Sequence, residues 1–181
     1  NRQSRQGDIV NSNVWYTGTP VSNYALTGYA KFTADQKNRL PMIYVGGNDG
    51  MLHGFSVEDG TEKIAYAPRA VQANLTRLTW LSFDDNHRYF VDGSPMSGDV
   101  DINDRNSTSH TPAWRTMLVS ALGAGGKGYF VLDVTNPSNF SENNASALVV
   151  MDKTLHSAEA INCSAMPLNA SNLADPSFCV N

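Results

Sequence analysis

A glycine-rich segment is the first candidate for chemistry, since Gly123-Ala-Gly-Gly-Lys-Gly128 fits the G-x-G-x-x-G pattern of dinucleotide-binding turns. In those turns a helix follows the last glycine, and its N-terminus meets the pyrophosphate. Here residues 129–134, an apolar run typical of a strand, follow instead. A P-loop is also excluded, because Gly128 occupies the place of the required Ser or Thr. We therefore expect a tight hairpin with positive φ angles.

Alternating carboxylates form a second candidate, for calcium, in Asp99-Val-Asp-Ile-Asn-Asp104. An EF-hand loop begins in this way, but it requires glycine at its sixth position and glutamate at its twelfth. Asp104 and His110 occupy those positions. The pattern fits an exposed strand end equally well, so no metal ligand is assigned here.

Histidine and serine chemistry is not indicated either. The four histidines are His53, His87, His110 and His156, and none has a partner at H-x-x-x-H spacing. His53 lies on a predicted strand, where we expect it to pack or to form hydrogen bonds rather than bind a metal. No serine lies in a G-x-S-x-G elbow. We predict no catalytic, cofactor-binding or metal-binding residue in this chain, and no enzymatic activity.

The two cysteines, Cys163 and Cys179, lie close to the end of the sequence. A disulfide between them would close a loop of about 15 residues and contribute about 3 kcal/mol in the chain-entropy model. The segment between them lacks periodicity and needs such a constraint. A disulfide would imply an oxidising compartment, and the alternative is two free thiols.

The composition excludes several classes of protein. The net charge is −4 and no basic stripe is present, which argues against nucleic-acid binding. No apolar run approaches the roughly 18 residues of a membrane span. Only 17% of residues are charged, against about 25% in typical soluble domains. The chain begins with Asn1 rather than Met, as expected of a mature form or an internal piece.

The elements that would position these residues include a strand-turn-strand unit that occurs twice in the sequence. Residues 42–59 read as an apolar strand, a tight Asn-Asp-Gly turn and a second apolar strand. Residues 116–134 repeat the plan with a glycine-rich turn. Hairpins repeated in this way, with an acid at the end, are typical of β-propeller blades.

The remaining elements are predicted from the spacing of apolar residues and from the Gly and Pro residues that interrupt it. Residues 17–41 contain scattered Gly and Pro and are predicted to be a loop. Val71, Leu75 and Leu78 have helical spacing and predict a short helix over residues 70–79, with an ordered loop as the alternative. We predict strands at residues 8–16, 42–47, 51–58, 61–67, 88–95, 97–102 and 147–152, and a strand-turn-strand over 115–134. We expect aromatic side chains on these strands to pack between blades: Trp15, Tyr16, Tyr44, Phe55, Tyr66, Tyr89, Phe90, Tyr129 and Phe130.

The predicted fold class is all-β, a partial β-propeller with quinoprotein-like blades and a short helical insertion. Two blades cannot close a ring, since propellers typically have 4 to 8, so we expect a fragment of a larger propeller. The predicted divisions are a partial propeller over 1–152, with one blade at 8–67, an insertion at 68–87 and a second blade at 88–152, followed by an irregular region over 153–181.

Several segments, in order, resemble one known family. The most specific are Tyr44-Val-Gly-Gly-Asn-Asp-Gly-Met-Leu-His-Gly-Phe55 and His87-Arg-Tyr-Phe-Val-Asp-Gly-Ser-Pro95. The chain resembles the propeller domain of the type IV pilus tip-associated adhesins, the PilY/PilC group. The match is dense from about residue 7 to 137 and fades over 138–181. Its other segments are residues 7–12, 65–69, 98–101, 114–119, 122–128 and 132–137.

The resemblance implies a secreted bacterial protein at the pilus tip and cell surface, which passes through the periplasm. It implies a module that caps the pilus, binds minor pilins, attaches to host or abiotic surfaces and contributes to twitching motility. It also implies a calcium loop of the D-x-D-x-N-G-x-x-D kind further along the propeller. That loop is not found here, because Asp99–Asp104 lacks the glycine, so no cofactor is assigned within this chain.

A quinoprotein-like propeller dehydrogenase is the alternative, because its blades share the strand-Gly-x-x-x-Gly-strand pattern seen in Gly46-Gly-Asn-Asp-Gly50. Such an enzyme needs a quinone, a calcium site and a catalytic Asp at the centre of the ring, and none can be placed here. Under the pilus hypothesis, the candidate contact regions are the loops at 17–41, 68–87 and 138–181, with no basis for choosing among them.

Overall fold

Two four-stranded antiparallel sheets make up the fold of the computed structural model, which describes residues 6–79, 87–103 and 109–154. In each sheet the strands are neighbours in sequence order, so each sheet is a simple meander. The sheets pack face to face, as adjacent propeller blades do. The predicted all-β partial propeller of two blades is therefore confirmed.

The first blade contains strands β1 (Trp15–Thr17), β2 (Met42–Gly46), β3 (Leu52–Ser56) and β4 (Glu62–Tyr66). The second blade contains β5 (Met96–Asp101), β6 (Trp114–Ala121), β7 (Tyr129–Asp133) and β8 (Val149–Asp152). Both predicted hairpins are present, with β2 paired to β3 and β6 paired to β7. A short helix, α3 (Ala145–Leu148), precedes β8.

The segments before β1 and β5 differ from the prediction. Strands were expected over 8–16 and 88–95, but β1 begins only at Trp15 and β5 only at Met96. Residues 7–14 and 87–95, which we call the first and second pre-strand segments, hydrogen-bond to turns and to each other. Their polar side chains, such as Asn11 and Asp92, replace the ladder bonds that a strand would need.

A helix, α1 (Tyr29–Asp35), occupies part of residues 17–41, which were predicted to be a loop. It begins after Gly28, whose φ of 78° is in the left-handed region that favours glycine. The side chains of Tyr29 and Phe32, one turn apart, are buried against Trp114 of β6. A seven-residue helix is marginal alone, so this contact with the second blade is what stabilises it.

The insertion after β4 is partly helical, in place of the single helix predicted over 70–79. It contains α2 (Arg69–Gln72) and a 3-10 turn at Leu75–Thr79. Asp152 at the end of β8 fixes its start, because its Oδ2 atom accepts hydrogen bonds from Tyr66 Oη (2.6 Å) and from the backbone N of Arg69 (2.9 Å). The insertion is thereby attached to the outer strand of the other blade.

The core lies between the two sheets. The inward faces contribute Tyr44 and Leu52 from the first blade and Leu118, Phe130 and Leu132 from the second, each with no exposed surface. Their alternation along the strands follows from the period of two residues, which sends every second side chain to the same face. Burial of apolar surface between the blades stabilises the fold, at about 25 cal/mol per Å² of that surface.

The outward face of the second blade carries apolar side chains that are exposed or partly exposed. On the second blade Met96, Val119, Val131 and Met151 form one cross-strand row. The aromatic prediction is therefore only partly right: Tyr44, Phe90 and Phe130 are buried, but Tyr16 and Tyr129 are 60% and 46% exposed. Tyr16 and Tyr129 lie on the faces that point away from the other blade.

The glycine-rich segment forms a hairpin turn, as predicted. A 3-10 turn over Gly123–Gly125 leads into β7, and no helix starts at Gly128. Gly126 and Gly128 have φ angles of 151° and 118°, which disfavour any other residue. The dinucleotide geometry is therefore absent from this turn.

Some predictions concern residues outside the described ranges. Cys163 and Cys179, and with them the disulfide, are among these residues, as are Asp104 and His156. The irregular region predicted over 153–181 is described only to Thr154. These predictions stay predictions.

Replacing Gly46 with alanine is expected to destabilise the contact between blades. A Cβ atom at Gly46 would overlap the backbone carbonyl oxygen of Val91 in the second pre-strand segment. Backbone cannot move aside as cheaply as the end of a side chain, so we expect a loss of about 1–3 kcal/mol, measured by thermal denaturation of the intact protein. Gly98→Ala is the matched control, because a Cβ there meets no described atom within 4 Å. Equal melting temperatures for the two variants would contradict the expectation.

Candidate functional site

The turn between β2 and β3, residues 47–50, collects both pre-strand segments, and we call this meeting point the turn junction. The backbone N of Asn48 donates to Asp8 O (3.0 Å), and the backbone N of Gly7 donates to Asp49 Oδ2 (2.7 Å). On the other side, Asn48 Oδ1 accepts from the backbone N of Phe90 (3.1 Å). Asn48 and Asp49 are both buried. One turn of the first blade thus holds the chain that enters each blade.

The two pre-strand segments also bind each other, in a register of 81 residues. Asn11 Nδ2 donates to Asp92 Oδ2 (2.7 Å), and the backbone N of Asn13 donates to Ser94 Oγ (2.9 Å). Ser12 Oγ donates to Gly93 O (3.1 Å) and accepts from the backbone N of Gly46 (2.8 Å). The joint between blades is therefore largely polar at this end and apolar between the sheets.

A charged network closes the turn junction from the outward face of the first blade. His53 on β3 is only 4% exposed, and both of its ring nitrogens face carboxylates. Nε2 lies 3.0 Å from each carboxylate oxygen of Asp49, and Nδ1 lies 2.5 Å from Glu62 Oε1 on β4. The expectation that His53 forms hydrogen bonds is confirmed, and its partners are acidic.

The electrostatics of this network favour a charged imidazole. Burial disfavours the charge, but the hydrogen bonds and charges of Asp49 and Glu62 outweigh burial and raise the pKa of His53 above its ordinary 6.5. Burial likewise acts to raise the pKa of Asp49, but hydrogen bonds from His53 and from the Gly7 backbone lower it below 3.8. The network therefore favours a positively charged His53 beside an ionised Asp49.

A second histidine–carboxylate pair contacts the same turn through Asn48. His87 Nε2 is 2.8 Å from Asp8 Oδ2, which also accepts from Asn48 Nδ2 (3.0 Å). Burial alone would raise the pKa of Asp8, but these two hydrogen bonds lower it. This pair is partly exposed, in contrast to the buried His53 network.

Residues 17–41 are fastened to the second blade by a group of contacts that we call the α1 brace. Tyr29 Oη donates to Asp99 Oδ2 and Thr116 Oγ1 donates to Asp99 Oδ1, both at 2.6 Å. Arg39 Nη1 donates to Thr116 Oγ1 (2.6 Å), and Arg39 Nε donates to Gly18 O (2.5 Å). Burial lowers the pKa of Arg39, and the charge of Asp99 opposes that shift.

The aromatic part of the α1 brace surrounds Trp114. Tyr24 and Phe32 stack on its ring at centroid distances of 5.8 and 6.4 Å, and its Nε1 donates to Thr27 O (2.9 Å). A cleft of about 390 Å³ lies beside it, between α1 and the start of β6. Because aromatic rings already cover Trp114, the tryptophan serves to position the loop rather than to offer a stacking surface.

The acidic segment considered for calcium is used internally. Asp99 belongs to the α1 brace, and Asp101 accepts from His110 Nε2 (2.8 Å) and from the backbone N of Ala113 (2.9 Å). Within the described ranges, no group of three or more His, Cys, Asp or Glu side chains could hold a metal ion. The helices that the structure describes include none long and apolar enough to span a membrane.

Sequence reasoning did not find the partners in these networks. Asp49, Glu62 and Asp8 lie in predicted turn and strand segments, and Arg39 lies in a predicted loop. A local signal existed for one pair, because Asp49 in the turn and His53 on β3 are only four residues apart. The contacts of Tyr29 with Asp99, of Arg39 with Thr116 and of Asp8 with His87 join residues 70 or more positions apart, which no local pattern predicts.

Comparison with known proteins identifies the family. The model of the PilY1 β-propeller domain matches residues 6–163, which is most of the chain. The chain belongs to the PilY1 β-propeller family. The expected resemblance to the PilY/PilC group is thereby confirmed.

Named members of the PilY1 family match at similar levels. A type IV pilus biogenesis factor PilY1 homolog of Xylella fastidiosa is 42% identical over 145 residues, which is 76% of this chain and 11% of that protein. The PilY1 of Pseudomonas aeruginosa strain UCBPP-PA14 is 40% identical over 148 residues, covering 76% of this chain and 12% of that protein. The chain therefore spans about one ninth of the length of these relatives. The crystal structure of the P. aeruginosa PilY1 C-terminal domain is 39% identical, with a TM-score of 0.49, over 68% of this chain and 23% of that one.

Proposed function

We propose that this chain is part of a non-enzymatic module for type IV pilus biogenesis, which binds minor pilins and contributes to adhesion at the pilus tip. The observation that supports it is the match to PilY1 proteins, named as type IV pilus biogenesis factors, at about 40% identity over 76% of the chain. We place the protein outside the cell, at the pilus or cell surface, after transit through the periplasm.

The proposed mechanism is presentation of loops by a rigid scaffold. The α1 brace ties residues 17–41 to the second blade through partly buried hydrogen bonds, so the exposed residues of this segment hold a fixed position. Val21, Tyr24 and Leu26 are exposed there, at 78%, 43% and 43%. A pre-organised surface of this kind loses little entropy when it binds a partner. We therefore favour residues 17–41 among the three candidate contact regions.

Calcium and the disulfide remain part of this proposal. We propose that any calcium the intact protein requires is bound by residues beyond those described, and that Cys163 pairs with Cys179 in the oxidising extracellular space. Host and abiotic surfaces are the proposed adhesion targets.

Deleting the gene in the bacterium that makes the protein is expected to abolish surface pili and twitching motility. Sheared pilus preparations and stab-agar motility provide the measurements, and complementation with the wild-type gene is the control. A complementing Val21→Asp variant tests the favoured contact region by placing a charge on the exposed loop surface. Normal piliation in the deletion strain would contradict the biogenesis role. Unchanged capture of purified minor pilins by Val21→Asp would contradict only the choice of loop.

A further inference from the structure

The arrangement around His53 favours a protonated ring. In a neutral imidazole one nitrogen carries hydrogen and the other only a lone pair, whereas both are donors in the charged form. Here both nitrogens lie within hydrogen-bond distance of carboxylate oxygens, Nε2 of Asp49 and Nδ1 of Glu62. In the neutral ring, a lone pair would face a carboxylate at one of these two contacts. Geometry alone therefore favours the imidazolium.

We propose that His53 is a pH-sensitive latch: the charged imidazole keeps the turn junction closed, and its deprotonation loosens the hydrogen bonds between that turn and the two pre-strand segments. The proposal does not depend on the proposed pilus function. It concerns how firmly the two blades are joined at this end.

A series of contacts connects the protonation state of His53 to the hydrogen bonds between the turn and the two pre-strand segments. Asp49 Oδ2 accepts from both His53 Nε2 and the backbone N of Gly7. The neighbouring residue Asn48 binds Asp8 and Phe90, one in each pre-strand segment. When His53 loses its proton, the buried group is left with two carboxylates and no cation. The unfavourable charge is relieved by movement of Glu62, which is partly exposed, or of the turn that carries Asp49.

Two carboxylates of the described residues face the ring. Asp49 faces it from the turn and Glu62 from β4, while Phe55 of its own strand stacks against it at 5.9 Å. The Asp8–His87 pair contacts the turn through Asn48. His87 provides the comparison variant, since its ring pairs with Asp8 at the same turn.

The direction of the pH effect follows from linkage. A histidine whose pKa is raised on folding contributes stability that is present below its unfolded pKa, 6.5, and is lost as pH rises through the folded pKa. Asp49, with a lowered pKa, contributes above 3.8 and loses its contribution only at lower pH. The junction is thus tightest between these two values. Between 6.5 and the folded pKa of His53, its opening constant rises about tenfold per pH unit.

Hydrogen exchange of the intact protein, read by mass spectrometry between pH 5 and 9 and corrected for intrinsic rates, tests the latch. Peptides that contain Gly7, Asn48 and Phe90 are expected to show the rise in opening above pH 6.5. His53→Gln is expected to give open-state exchange at all pH values. His87→Gln is expected to keep the pH-dependent rise.

Other outcomes overturn the proposal. These are flat exchange in the wild type, a rise that persists in His53→Gln, or a rise abolished by His87→Gln. If His53→Gln fails to fold, Glu62→Gln tests the proposal instead. Glu62 is partly exposed, so its replacement is better tolerated, and its carboxylate favours the charged ring. The midpoint is expected to move to lower pH in Glu62→Gln, and an unmoved midpoint would refute the latch.

Discussion

Replacing Phe130 with alanine is expected to lower the free energy of unfolding by about 3–5 kcal/mol, the largest effect of any substitution considered. The ring has no exposed surface and lies on the inward face of β7. It packs 5.1 Å from the ring of Tyr66 on the outer strand of the other blade. The truncation would leave a cavity that both sheets must close, and rigid sheets collapse poorly around a void.

Chemical denaturation of the intact protein measures this loss. Phe130→Leu is the matched control, because it keeps most of the apolar volume and is expected to cost less than about 1.5 kcal/mol. A small loss in the alanine variant, comparable to that of the leucine variant, would show that the blades do not depend on this contact.

Asp99→Ala is expected to cost about 3 kcal/mol and to release the α1 brace. Asp99 accepts from Tyr29 and Thr116, and hydrogen bonds to charged groups contribute about 1.5–3 kcal/mol each. Tyr29 and Thr116 are buried, so the loss leaves their hydroxyls without this acceptor. Arg39 would also lose the nearby negative charge.

Limited proteolysis distinguishes loss of the brace from general unfolding. In Asp99→Ala, cleavage within residues 17–41 is expected at temperatures where the blades remain folded. Asp35→Ala removes a carboxylate from α1 itself, but its pair with Lys31 is exposed and contributes only about 0.3–0.5 kcal/mol. Equal protease resistance in the two variants would contradict the role of Asp99.

The hairpins were predictable because their signals are local. Residues 42–59 and 116–134 each carry alternation, a turn sequence and a second apolar run, and the structure pairs β2 with β3 and β6 with β7 accordingly. The order of several such motifs was also enough to indicate the family that the comparison then showed.

What escaped prediction depends on partners far away in sequence. α1 carries Tyr29 and Phe32 at helical spacing, but its stability comes from Trp114. The pre-strand segments look like strands because Ile9, Val10 and Phe90 are apolar, yet their backbone groups bind turns and each other. His53 could be placed on its strand, but its acidic neighbours could not be foreseen, since the bulge between β3 and β4 sets the position of Glu62.

The stacked pre-strand segments bear on how such proteins can be recombined. Because of the 81-residue register, the second pre-strand segment is already hydrogen-bonded to the first pre-strand segment before β5 begins. In a chimera with its crossover at Met96, the second sheet would come from one parent protein and the second pre-strand segment from the other. A crossover ahead of His87 would transfer the second pre-strand segment together with its sheet. Domain shuffling is therefore expected to succeed with that crossover and to fail with a crossover at Met96.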